Sequence, residues 1–448
     1  MLIPYRKDSF NPPIPFLTGD AATLHSIISE IDRVNSLDYD EVREHQNALL
    51  NPLINHFSKK DPKFKERLVT NSPTKEFTVS DLAAIKPEGK AYFQTLVSNK
   101  GYYSNKVPKH HLPAYWAETS GSTGVPLRIQ NTAISRAIAM AYTPWNYVAT
   151  GVDFAWKLAS VKPTNKGVSH CESWEGATEL LFKTGEMLSI SSSKDVLTQL
   201  DELESFSPDF LIVFPSVLNE YTQLWKNGVR DPIPLKIIRT MGETLREETR
   251  DLASQLTGAT VLDTYSSSEV GRIATQVKSG EPYLLNNYSL IVEILRENGE
   301  PCENGEVGRV VITDLSNYAT PVIRYDIGDY ATPADAHCLT LESVQGRARN
   351  MVTLPNGEKI WPLVGYREFS KIIPIRQFHI QQVKPDSLVA KFHVDFLPSD
   401  DQREKICKII RDNLGYNFRI DATYQLEPIK KGANQKLEDF VSLVKGQT

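Results

Sequence analysis

Phe210-Leu-Ile-Val-Phe214, Leu235-Lys-Ile-Ile238 and Thr260-Val-Leu262 are three short apolar runs, and the segments between them, Ser216 to Asn227 and Leu245 to Leu256, read as helices. Strands of this length alternating with helices predict a parallel sheet with helices packed on its faces. Such sheets bind ligands beyond the carboxyl ends of their strands. Three segments fall at those ends: Phe214-Pro-Ser216, Met241-Gly-Glu-Thr244 and Asp263-Thr-Tyr-Ser-Ser-Ser-Glu269. Small and polar residues therefore gather where a ligand would lie.

Upstream stands Thr119-Ser-Gly-Ser-Thr-Gly-Val-Pro126, rich in hydroxyls and glycine. Glycine lets backbone approach a ligand closely, hydroxyls donate, and successive N–H groups form an anion-binding nest. Asn131 to Tyr142 reads as a helix, which would bring a helix N-terminus near the loop. The Gly-Lys-Ser/Thr ending of a Walker A loop is missing. Read in isolation, the same stretch is equally an ordinary surface loop. His110 and His111 precede it and read as surface or packing residues.

The flanks complete the organisation. Residues 1–75 look helical and peripheral, with apolar faces on Ala22 to Val34 and Asp40 to Phe57, the latter interrupted by Pro52. From Tyr283 to Leu341 the pattern alternates as in β-structure, with strands expected at Ser289 to Leu295, Gly308 to Leu315 and Pro321 to Tyr325. A boundary is expected at Gln345-Gly-Arg-Ala-Arg-Asn350. Beyond it come a hairpin around Asn356-Gly357, a helix from Leu363 to Ile372, paired strands at Phe378 to Val383 and Leu388 to Val394, a helix opened by Ser399 with Gln402, and a last strand at Phe418 to Gln425. The expected architecture is α/β: a large N-terminal domain of doubly wound, mainly parallel sheets with a β-subdomain, and a small mobile α+β C-terminal domain. The boundaries are 1–75 (helical segment of the large domain), 76–347 (core) and 348–448.

The chain has 448 residues, a formal charge of −5, 40% hydrophobic and 23% charged residues, an ordinary globular composition. The length calls for more than one domain. The mild negative charge argues against nucleic-acid binding, and no apolar run reaches the ~20 residues that span a bilayer. Met1 to Asn11 lacks the apolar core of a signal peptide. Cys171, Cys302, Cys338 and Cys407 lack metal or disulfide spacing, which suits a reducing cytoplasm.

The motifs Thr119 to Pro126, Gly242-Glu-Thr-Leu-Arg-Glu-Glu-Thr-Arg250, Tyr265-Ser-Ser-Ser-Glu269, Arg324-Tyr-Asp-Ile-Gly-Asp329, and Gly346-Arg347 followed by Gly357 to Pro362 occur in one order along the chain. In that order and spacing the chain resembles the adenylate-forming superfamily of acyl-CoA synthetases, peptide-synthetase adenylation domains and luciferases. Within it the chain most resembles phenylacetate–CoA ligases, from about residue 80 to near the C-terminus.

The resemblance implies ATP- and Mg²⁺-dependent activation of a carboxylic acid as acyl-adenylate, then transfer to CoA. Thr119, Ser120, Gly121, Ser122, Thr123 and Gly124 would hold the outer phosphates. Gly242, Glu243, Thr244 and Tyr265 would flank adenine, with Ser266, Ser267 and Ser268 alongside. Asp329 would take the ribose hydroxyls, Arg347 would support ribose or phosphate, and Glu269 would ligate Mg²⁺. Lys436 would reach the α-phosphate and the substrate carboxylate, with Lys430 and Lys431 as alternatives. The acyl pocket would draw on Tyr142, Trp145, Phe214, Pro215, Ser216, Met241 and Thr264. That lining suits an aromatic or medium-sized acid.

Two positions depart from the family. Its hinge usually carries an acidic residue or lysine two places after the arginine of Gly-Arg, where this chain has Arg349. Its catalytic lysine usually follows glycine, whereas here the tail reads Pro428-Ile-Lys-Lys-Gly-Ala-Asn-Gln-Lys436. Two further readings stay open: delivery of the acyl group to a separate carrier protein's phosphopantetheine or to an amine, and a non-catalytic nucleotide-binding homologue. Taken singly, Asp326 and Asp329 can cap a turn, Glu269 can cap a helix that it starts, and Lys436 can be a solvated charge. A homodimer is the default expectation for a soluble enzyme.

Overall fold

The computed structural model describes residues 19–68, 76–97, 107–118, 127–164, 167–347, 351–360, 362, 366–369, 372–429 and 439–444. Among them, the largest sheet has 13 strands. Its parallel part runs Met187–Ser191, Leu158–Lys162, Phe210–Val213, Ile237–Met241, Thr260–Ser267. Leu211, Val213, Ile238 and Val261 are at most 1% exposed, as expected for strands covered on both faces. The helices Val196–Phe206, Pro215–Lys226 and Glu247–Thr257 supply that cover through Leu200, Leu203, Val217, Leu218, Tyr221, Trp225 and Ala253. Tyr221 is buried completely, and its hydroxyl finds Gln199 Oε1 at 2.5 Å.

At Thr260–Ser267 the sheet changes character. The next strands, Gly271–Thr275, Tyr283–Leu285, Thr340–Arg347, Tyr325–Pro333, Gly308–Asp314 and Leu290–Leu295, follow in that spatial order and are all antiparallel. The strand expected at Pro321 to Tyr325 is instead Tyr325–Pro333. Arg324 explains the shift. Its φ of 46° is outside extended geometry. The buried guanidinium is spent on both Glu293 carboxylate oxygens, at 2.9 and 3.0 Å, and on the Ile85 carbonyl at 2.7 Å.

The strand Arg128–Thr132 intervenes between the Thr119–Pro126 segment and the helix Ala133–Ala149. It pairs antiparallel with Ala114–Glu118, with Glu118 opposite Arg128 and Ala114 opposite Thr132. The helix N-terminus, capped by Thr132 and Ser135, is therefore a strand length from the end that leads into residues 119–126. Near the N-terminus, Gly19–Val34 packs Leu24 and Ile31 against Ile138, Ala141, Tyr142 and Trp145. Tyr39–Lys60 continues through Pro52.

The C-terminal domain has its own core, from Val352 through Phe378, Phe392, Ile406 and Ile410 to Phe440. Its sheet runs Arg419–Gln425, Ser387–Val394, Ile375–Lys384, Phe440–Ser442, with the outer pairings parallel and the central one antiparallel. The capping box of Ser399 and Gln402 opens the helix Asp400–Leu414. Of the helix expected over Leu363 to Ile372, the described residues contain Tyr366–Phe369.

Candidate active site

The strand Ile237–Met241 ends at Gly242, whose φ of 79° turns the chain away from the sheet. Glu243 then folds back, its Oε2 accepting the Ser216 N–H at 2.9 Å. That bond ties together two of the strand-end segments. Met241 pairs with Thr264, so Tyr265 emerges alongside Gly242.

Tyr265 is 9% exposed, and its hydroxyl donates to Asp329 Oδ2 at 2.7 Å. Arg347 is the strand partner of Asp329 and brings Nε to 3.6 Å from Oδ1. Burial, and next the Asp329 carboxylate, hold the Tyr265 phenol well above its ordinary pKa, so it stays a donor. Asp329 is presented by a bulge. The register between the strands Gly308–Asp314 and Tyr325–Pro333 jumps from Arg309 opposite Tyr330 to Val311 opposite Asp326. The extra residues are accommodated by Gly328 at φ 80°, and the Gly328 N–H is held by Asp326 Oδ1 at 3.0 Å.

Glu269 starts no helix. It sits in the turn between Thr260–Ser267 and Gly271–Thr275. Tyr325, 1% exposed and packed edge-on against Phe93, donates to Glu269 Oε1 at 3.3 Å. One hairpin thus supplies Tyr265 and Glu269, and one strand supplies their partners Asp329 and Tyr325. The strands Gly271–Thr275, Tyr283–Leu285 and Thr340–Arg347 lie between them in the sheet, so the sheet must curl to let these side chains meet.

Ser266 pairs with Arg272 in the hairpin, and Ser267 Oγ accepts the Val270 N–H at 3.3 Å. Ser268 is exposed and, with Glu269, borders a cavity of about 420 Å³ whose other walls include Tyr115, Trp116, Arg136 and Asp314. No cluster of three or more His, Cys, Asp or Glu capable of holding a metal occurs among the described residues. The cavity-lining carboxylate of Glu269 nevertheless fits Mg²⁺ brought in on a nucleotide, because that ion keeps most of its shell from phosphate and water.

The pocket residues divide. Phe214, Pro215, Ser216 and Met241 lie at the strand ends. Thr264 is 2% exposed, its hydroxyl in contact with Arg239 and Thr275. Tyr142 and Trp145 face the helix Gly19–Val34; the Tyr142 hydroxyl is bonded to Asn286 and Trp145 Nε1 to Asp32 Oδ1 at 3.4 Å. The apolar face of that helix needs cover, and these aromatics provide it; Tyr142 also lines the cavity beside Ser268 and Glu269. His111 packs on Tyr318 with ring centroids 4.4 Å apart. Thr119, Ser120, Gly121, Ser122, Thr123, Gly124, Arg349, Lys430, Lys431 and Lys436 lie outside the described residues.

Sequence reasoning missed Tyr325 as the partner of Glu269, although it lies inside the quoted motif Arg324 to Asp329. It also missed the buried Arg239, which bonds Thr264, Thr275 and Thr150 and is lowered by burial to about 9. An arginine within an apolar run gives no local signal of this role.

No family model matches the chain. The fold is that of adenylate-forming acyl-CoA ligases. It aligns over 92% of this chain with 91% of a 2-hydroxyisobutyryl-CoA ligase in the postadenylation state in complex with 2-HIB-AMP, at 15% identity and a TM-score of 0.71. Against the same ligase in complex with 2-HIB-AMP and CoA in the thioesterification state the TM-score is 0.58, at 16% identity over 92% and 91% of the two chains. In sequence the chain is 25% identical over 346 residues to phenylacetate-coenzyme A ligase of Pseudomonas putida, spanning 74% of this chain and 76% of that one. The chain is thus phenylacetate–CoA ligase-like and, more broadly, acid–CoA ligase-like.

Proposed function

We propose that the protein activates a carboxylic acid with ATP, releasing pyrophosphate, and passes the acyl group from AMP to CoA. The observation that carries this reading is the meeting of Tyr265, Asp329 and Arg347 in one polar cluster with Glu269 and Tyr325. A carboxylate is a poor electrophile because oxide is a bad leaving group. Attack of its oxygen on the α-phosphorus expels pyrophosphate and replaces oxide with AMP. The CoA thiolate then attacks the acyl carbon, and AMP departs.

The chain's own residues have to place and neutralise charge. An ionised carboxylate has about four acceptor positions. Asp329, oriented by Tyr265 and Arg347, is assigned to the vicinal pair of ribose hydroxyls. Residues Thr119 to Gly124 hold the outer phosphates, and Gly242 to Thr244 border the base. Glu269, steadied by Tyr325, would hold Mg²⁺, which offsets phosphate charge when bound. Lys436 is assigned to the α-phosphate and the acid carboxylate.

Phe214, Pro215, Ser216 and Met241 border the acyl group, which favours an aromatic or medium-sized acid. Exchange of labelled pyrophosphate into ATP, run over a panel of acids, tests the reading, and mass spectrometry with CoA identifies the product. Exchange with an aromatic or medium-sized acid and a CoA thioester are expected. Exchange with no acid contradicts the activity, and a response to long-chain acids alone contradicts the pocket.

A further inference from the structure

The cavity beside Glu269 has a charged wall that the nucleotide assignments leave unused. Arg272 borders it, on the strand Gly271–Thr275 and opposite Ser266. Its Nη1 donates to the Tyr142 carbonyl at 3.2 Å, and it forms no ion pair among the described residues. Burial lowers its pKa from the ordinary arginine value, opposed by the phenols of Tyr147 and Tyr142 and by no carboxylate. Arg324 is the contrast, a buried arginine whose guanidinium takes both Glu293 oxygens. The two carboxylates on the cavity are engaged by hydroxyls instead, Glu269 by Tyr325 at 3.3 Å and Asp314 by Ser316 Oγ at 2.7 Å.

A connected polar frame holds Arg272 in place. Its carbonyl accepts Asn286 Nδ2 at 3.1 Å, and Asn286 Oδ1 accepts the Tyr142 hydroxyl and the Ser289 N–H, the latter at 3.1 Å. Burial keeps the Tyr142 phenol well above its ordinary pKa, so it stays a donor. Such a frame presents a charge at a fixed position. Arg136 adds a second positive charge to the cavity, its guanidinium 4.7 Å from the Tyr115 ring centroid. Ile138, Ala139, Tyr142 and Val270 supply apolar wall.

A guanidinium has five N–H donors and no acceptor, and a buried charge without a counter-ion is costly. A ligand anion removes that cost. We propose that the cavity receives the tail of the acid, that this tail carries a second anionic group, and that Arg272 selects it. This deepens the proposed reaction, on which it rests, by naming the class of acid: a dicarboxylic acid or an equivalent dianion. Glu269 and Arg272 are three residues apart, at most about 10 Å of backbone, so one medium-sized skeleton can carry both anionic groups.

The test measures binding apart from turnover. Calorimetry with the full chain and α,β-methylene ATP compares matched acids, isophthalate against benzoate and adipate against hexanoate. At least one dianion is expected to bind about tenfold or more tighter than its monocarboxylate partner, as for a hydrogen bond to a charged group. Arg272→Gln, checked for a cooperative thermal melt, is expected to erase the difference, and Arg272→Lys to keep part of it. Equal binding within both pairs, no binding of either dianion, or a preference that survives Arg272→Gln overturns the proposal. Pyrophosphate exchange with the same four acids is read in parallel. Selective, Arg272-dependent binding without exchange contradicts the reaction while upholding the anion site; exchange with the monocarboxylates alone overturns the site while upholding the reaction.

Discussion

The phenol of Tyr265 donates to Asp329 across 2.7 Å and 64 positions of sequence. Their strands are not neighbours in the sheet. The bond therefore reports a curl of the sheet that brings Tyr325–Pro333 back toward Thr260–Ser267. Tyr265→Phe keeps the ring and removes the donor. Loss of a hydrogen bond to a charged group costs about 1.5–3 kcal/mol. The expected outcome is a rise of about tenfold or more in KM for ATP with kcat changed by less than a few fold, measured in the exchange assay. An unchanged KM would separate Asp329 from nucleotide binding.

Gly328 isolates backbone geometry from space. A Cβ there meets nothing within 4 Å, yet φ is +80°. Gly328→Ala should cost about 1 kcal/mol in stability, read as a lower denaturation midpoint. It should also weaken ATP affinity by displacing Asp329. Stability lost with affinity intact would mean that the bulge serves folding alone.

Glu269→Ala removes the carboxylate assigned to Mg²⁺. The expected result is a Mg²⁺ titration of exchange displaced to higher concentration, with Glu269→Asp intermediate. Superimposable titrations for the variant and the parent chain would rule out a metal role for this residue.

Two buried groups pull stability in opposite directions between about pH 4 and 6. Burial pushes the Asp314 carboxyl up to about 6, opposed by its bonds from Ser316. The folded state therefore keeps a proton that the unfolded state has released, and stability falls as pH rises toward 6. Burial, aided by His110 and His56, lowers His111 to about 4. The folded state then binds fewer protons than the unfolded one, and stability rises with pH over 4 to 6.5. Denaturation curves across this range should rise more steeply with pH in Asp314→Asn and less steeply in His111→Phe. Parallel curves for all three chains would contradict both assignments.

The parallel core was legible because Phe210 to Val213 and Ile237 to Ile238 are continuous apolar runs punctuated by helical segments. Leu158–Lys162 and Met187–Ser191 escaped notice because serine interrupts them, and only the assembled sheet buries Ser160 and Ser191. Phe440–Ser442 is too short to announce itself and becomes a strand by pairing parallel to Ile380–Gln382. At the site, resemblance singled out Tyr265, Glu269, Asp329 and Arg347, but the partners that orient them depend on the curl of the sheet. Tyr142 and Trp145 show how one aromatic pair can be divided between core and cavity. The helix Gly19–Val34, distant in sequence, uses both as core, while Tyr142 also lines the cavity beside Glu269. No helix of the described residues is long and apolar enough to cross a membrane.

The most direct measurement is acid-dependent exchange of labelled pyrophosphate into ATP by the full chain, run beside Glu269→Ala and Lys436→Ala. The account predicts exchange that requires both an organic acid and Mg²⁺. Lys436→Ala should lose roughly 10²–10³-fold, as on removal of one charge-stabilising donor, and Glu269→Ala should fall with it. Exchange that is absent with every acid, or undiminished in both variants, would contradict it.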